Sequence, residues 1–96
     1  MSNKQPLISV IVPAHNEEAF IEKCLDSLGK QTLNSKFFEV IVIDNVSTDN
    51  TSKIVKGYPV KLVYEAKKSV IWARQKGVDE SRGEIIVSAD ADTYYP

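Results

Sequence analysis

The sequence predicts an α/β domain, a mostly parallel sheet with helices on both faces, and three observations lead there. Short apolar runs rich in β-branched residues, Leu7 to Val12, Phe38 to Ile43, Val60 to Tyr64 and Glu84 to Ser88, read as strands buried on both faces. Between them the apolar spacing changes to a helical period, at Phe20, Ile21, Cys24, Leu25 and Leu28 and again at Val70, Ala73, Gly77 and Val78. Strands and helices alternate along all 96 residues, the pattern of βαβ units wound about a parallel sheet.

Each element has its own justification. Pro13 stops the first strand because it has no N–H to give a ladder. Asn16 offers an N-cap, Glu17 and Glu18 suit the positive end of a helix, and the apolar face then runs to Gly29. The second strand delivers Asp44 and Asn45 at its C-terminal end. Ser47, Thr48 and Asp49 offer caps for a short helix containing Ile54 and Val55, which ends near Gly57, Tyr58 and Pro59. After the third strand, Ser69 opens a helix that closes by Gly83, and the fourth strand follows. The total is about four strands and three helices, with no linker, repeat or low-complexity segment.

Composition narrows the function classes. With 43% hydrophobic and 26% charged residues the chain is ordinary globular material. Twelve basic against thirteen acidic residues give a net charge of -1, so no field draws it to nucleic acid or an anionic membrane. The single cysteine, Cys24, forms no internal disulfide and fits a reducing compartment. Residues 1–6 lack a signal-peptide core, and no apolar run approaches the roughly 18 residues of a membrane span. The expectation is a cytoplasmic segment, with membrane association only through parts outside this chain.

Polar residues gather after the strands, at Pro13, Ala14, His15, Asn16 and Glu17, at Asp44 to Asp49, and at Asp90 to Asp92. In open α/β sheets that edge binds ligands. Asp90 and Asp92, two residues apart, project to one side of an extended segment and suit Mg²⁺ or Mn²⁺; the plainer reading is a polar turn. Asp44 and Asn45 could bond a base or sugar, or simply form an Asx turn. His15 could be a ligand, a base or an ordinary loop residue. Lys67, Lys68 and Arg74 could meet phosphates or solvate a helix face. Neither G-x-x-x-x-G-K-[ST] nor G-x-G-x-x-G is present, so any phosphate must be held another way.

Five segments, Ile8 to Glu18, Val42 to Thr51, Ala73 to Gly77, Gly83 to Val87 and Asp90-Ala91-Asp92, together resemble the family 2 glycosyltransferases of the GT-A fold. The resemblance covers nearly the whole chain. It implies a Rossmann-like sheet and a donor-nucleotide-binding half, residues 1–96, cut off after the Asp-x-Asp motif. The loop from Pro13 to Glu17 would line the nucleotide pocket, Arg74 would approach the nucleotide, Asp90 would lie near the ribose and Asp92 on the metal, with Asp90 beside it. The family usually has Asp-Asp-Gly-Ser after the second strand, and the second acid meets uracil in members that use uridine diphosphate sugars. Here Asn45 and Val46 stand in the second and third places. The implied reaction moves a sugar from a nucleotide diphosphate sugar, a UDP-sugar among the candidates, to an unspecified acceptor hydroxyl with inversion. The family's general base lies well beyond the metal motif, so no catalytic residue is expected within this chain and the isolated chain is expected to be inactive.

Two other readings compete. Asp90-Ala91-Asp92-Thr93 after an apolar strand also fits the start of a haloacid-dehalogenase-type phosphatase, although that motif normally opens its domain. A non-catalytic nucleotide-binding or interaction module of the same fold is the other, favoured by Asn45. A sheet ending at the fourth strand would also expose an apolar edge and favour self-association.

Overall fold

The computed structural model describes residues 6–31 and 37–91. Its elements are β1 (Ile8–Ala14), α1 (Ile21–Gln31), β2 (Phe38–Asp44), α2 (Thr51–Val55), β3 (Lys61–Tyr64), α3 (Val70–Glu80) and β4 (Ile85–Ser88). Four parallel strands lie in the order β3-β2-β1-β4. The predicted α/β class and the parallel sheet are therefore what the chain adopts.

Side-chain alternation along β1 divides the core in two. Val10, Val12 and Ala14 pack with Ile21, Cys24, Leu25 and Leu28 of α1 and Val55 of α2 on one face. Ile11 points the other way, joining Ile41, Ile43 and Ala73 beneath α3. Gly77 lets α3 press onto that face: a Cβ there would lie 2.8 Å from Ile43 Cδ1 and 2.9 Å from Ile11 Cβ. At the N-terminal ends of the strands, Glu39 Oε2 accepts from the Ser9 hydroxyl at 2.5 Å and from the Arg82 N–H at 2.7 Å, and Gly83 N–H donates to Ser9 Oγ at 2.8 Å. This cluster fixes where β4 begins beside β1.

Several boundaries differ from expectation for identifiable reasons. β1 continues through Pro13 to Ala14. Pro13 lies on the β4-facing side, as Ile11 does, and the β4 ladder has already ended at Ser88, so its missing N–H removes no ladder bond. Asn16 caps nothing; its φ is 51°, and α1 starts only at Ile21, after Glu17 C=O has accepted the N–H groups of Phe20 and Ile21. Phe20 consequently falls off the apolar face and is exposed. α1 also runs two residues past Gly29. Of the residues expected to form the apolar face of α3, only Ala73 and Gly77 are buried, whereas Val70 and Val78 are exposed. β4 is the largest departure. Ile85, Ile86 and Val87 are each 41–50% exposed, because among the described residues β4 pairs only with β1, and α3 packs over β1 and β2.

Candidate nucleotide site

Winding from β1 to β2 to β3 moves outward in one direction, and β4 then returns to the far side of β1. The switch in strand order thus falls between the C-terminal ends of β1 and β4, and doubly wound sheets hold ligands beside such a switch. On the same edge, the loops after β1 and β2 are cross-linked. Asn16 Oδ1 accepts the Thr48 N–H at 2.7 Å, while the Asn16 N–H donates to Ser47 Oγ at 3.0 Å. Glu17 N–H donates to Thr51 Oγ1 at 2.9 Å. Glu18 and the Asp49-Asn50 pair bond reciprocally, Glu18 N–H to Asp49 Oδ2 at 3.2 Å and Asn50 N–H to Glu18 Oε1 at 3.0 Å.

Of the residues read from sequence as caps of α2, Ser47 and Thr48 act across the loops, and Asp49 does both. Asn50 is the N-cap and makes no side-chain capping bond. Asp49 Oδ1 serves the helix start in its place, accepting both the N–H and the hydroxyl of Thr51, the first residue of α2. Desolvation acts to raise the Asp49 carboxyl, but the Thr51 and Glu18 donors outweigh it and hold the group below its ordinary value.

A cleft of about 170 Å³ opens at this edge, lined by Pro13, Ala14, His15, Glu17, Asn45, Val70 and Ala73. It is smaller than whole-ligand cavities, which run to several hundred Å³, so it suits one part of a ligand. Sequence reasoning selected the first five; Val70 and Ala73 it assigned to the helix core. His15 Nδ1 lies 2.6 Å from the Asn45 carbonyl oxygen, so Nδ1 carries the hydrogen and donates. In the neutral ring Nε2 is then an acceptor, with Asn16 Nδ2 at 3.4 Å.

Asp44 and Arg74 lie outside the lining of this cleft. Buried Asp44 accepts the Ser47 N–H, three residues on, at 3.1 Å through Oδ1 and so holds the turn after β2. Arg74 is exposed and donates from Nε to Ser88 Oγ at 3.3 Å, tying α3 to β4. Lys67 sets its ammonium 3.9 Å from the centre of the Trp72 ring. Asp90 is exposed, just past β4, with its backbone carbonyl 3.6 Å from Cys24 Sγ. Asp92, and Thr93 to Pro96, lie outside the described residues. Among the described residues no three His, Cys, Asp or Glu side chains cluster to hold a metal. A larger cavity of about 720 Å³, bordered by Leu28, Phe38, Tyr58 and Val60, sits at the opposite ends of the strands, away from these polar loops.

Comparison with known proteins decides what kind of fold carries this crevice. The sequence matches the family described as Glycosyl transferase family 2 over residues 9–96. The chain belongs to that family. It is 35% identical to the uncharacterized glycosyltransferase EpsJ of Bacillus subtilis, over 93% of this chain and 27% of that protein. The structure of Staphylococcus aureus TarS in complex with UDP superposes with a TM-score of 0.85 at 34% identity, covering 91% of this chain and 28% of that one. A mannosyltransferase of Pyrobaculum calidifontis, PcManGT, in complex with GDP-Man and Mn²⁺, gives 0.86 at 34% identity, covering 96% of this chain and 29% of that one. This glycosyl transferase family 2 chain thus spans somewhat over a quarter of the length of these relatives, and its sheet is GT-A. Nothing in the comparisons supports the phosphatase reading. No helix among the described residues of this family 2 chain is long and apolar enough to cross a membrane.

Proposed function

We propose that this chain binds the donor nucleotide of a cytoplasmic, inverting glycosyltransferase, which moves a sugar from a nucleoside diphosphate sugar to an acceptor hydroxyl. The observation that carries it is the cleft at the C-terminal ends of β1 and β2, where Pro13, Ala14, His15, Glu17 and Asn45 converge against the start of α3. TarS binds UDP and PcManGT binds GDP-Man with Mn²⁺ at high structural similarity to this chain, which supports a nucleoside diphosphate and a divalent ion as ligands here.

In this reading the base enters the cleft between the β1 loop and the start of α3. Asp44 holds the turn beside it, and Asn45 and His15 bring polar groups to its wall. Arg74 at the α3 to β4 junction faces the phosphate side, and Asp90 takes the ribose. The donor set fits Mg²⁺ or Mn²⁺. Asp90 presents an exposed carboxylate at the strand end, and hard oxygen donors of this kind, with substrate oxygens completing the shell, are what these ions prefer. Asp92, with Asp90, would hold the ion, which when bound supplies Lewis-acid stabilisation of the departing diphosphate.

Paramagnetic broadening tests the placement. With Mn²⁺ and UDP present, amide signals of His15 to Glu17 and Ala89 to Ala91 should broaden well before those of Val60 and Lys61, and Asp92→Asn should abolish the effect. Broadening centred on the large cavity at the opposite end would refute the assignment.

A further inference from the structure

Asn45 is only 4% exposed, and it spends its side chain on the segment between β3 and α3. Its Nδ2 donates to the carbonyls of Glu65 at 2.9 Å and Lys67 at 2.8 Å, and its Oδ1 accepts the Ser69 N–H at 2.9 Å. Both amide hydrogens are committed. The orientation is fixed as well, since a reversed amide would set its oxygen against two carbonyls.

These bonds reach the start of a helix. Ser69 is the N-cap of α3, its Oγ accepting the Ile71 N–H at 3.2 Å. The first turn of α3 carries Val70 and Ala73 into the cleft wall. Asn45 also receives His15 on its own carbonyl, so one residue joins the two sides of the cleft. We propose that Asn45 is a positioning residue, a latch that locks residues 65–69 and the start of α3 against the His15 loop, and that it needs an amide to do so. The link to nucleotide binding rests on the function proposed above, whereas the latch itself does not.

A carboxylate at this position has no hydrogen for either carbonyl and would oppose both. Asn45→Asp, isosteric with the native side chain, is therefore the informative variant. Its Ser69 and Val70 amides should exchange at least about tenfold faster, the factor expected for one lost buried pairing, while Val42 and Ile43 stay protected. In the unmodified protein, the Asn45 side-chain amide should exchange slowly and show hydrogen-bond couplings to the Glu65 and Lys67 carbonyl carbons. Absent couplings, or an Asn45→Asp variant with unchanged Ser69 exchange, would overturn the latch. Should Asn45→Asp fail to fold, Asn45→Ala removes the repulsion and must still release Ser69. A protein that shows the couplings but binds no nucleotide would refute the proposed function and leave the latch intact.

Discussion

Asn16 Oδ1 accepts the backbone N–H of Thr48 at 2.7 Å, joining the loop after β1 to the loop after β2. Asn16 holds this bond from the left-handed region, at φ 51°, which asparagine tolerates better than most residues. Asn16→Ala loses the bond and keeps the strain, and should cost about 1–3 kcal/mol. Asn16→Gly loses only the bond and should cost less. Urea unfolding of the two variants measures the difference, and equal losses would mean that the backbone conformation contributes nothing.

Val46, also at positive φ (60°), is a β-branched residue where the family usually has glycine. That conformation brings Cβ against the following carbonyl. Since Val46 is exposed, little packing is lost with its side chain. Val46→Gly should therefore stabilise the chain by about 1 kcal/mol, the strain relieved exceeding the added chain entropy. A higher urea midpoint with an unchanged slope is the expected result.

Two glycines in helices should respond in opposite directions. Gly77→Ala drives a methyl against Ile43 and Ile11 at under 3 Å and should cost about 1–3 kcal/mol by overpacking. Gly29→Ala meets nothing within 4 Å and should gain about 0.5–1 kcal/mol through helix propensity. Thermal melts of the pair check both signs.

Acid should destabilise the chain partly through Glu39. Burial acts to raise its carboxyl, but the Ser9 hydroxyl and the Arg82 N–H and guanidinium prevail and depress it below the ordinary 4.5. A depressed folded value contributes stability that is fully present above pH 4.5 and is lost as pH falls through the folded value. Glu39→Gln should lower stability at neutral pH and flatten this acid limb, as read from unfolding curves at a series of pH values. An acid limb of unchanged slope would assign it to other carboxylates.

Strong periodicity made the strands and helices legible: Ile21, Cys24, Leu25 and Leu28 are all buried on α1, as their spacing required. Polar residues were harder, because type alone does not say which neighbour a side chain reaches. Asp49 does accept the first N–H of α2, as its type allowed, but only the approach of two loops distant in sequence turns Ser47, Thr48 and the other Asp49 oxygen into cross-links. The exposure of β4 was hidden for a similar reason. Its composition is that of a central strand, but strand order, set by long-range packing, puts it at the edge of the described sheet. The likeness to a nucleotide-binding family came from the order of five short segments, no one of which would identify a site alone.

Calorimetric titration of the chain with UDP and GDP, each with and without Mn²⁺, tests donor-nucleotide binding most directly. Saturable binding of at least one diphosphate is expected, weakening sharply without the metal or in Asp92→Asn. Binding of neither diphosphate under any condition, or binding indifferent to both the metal and Asp92, would contradict the proposed site.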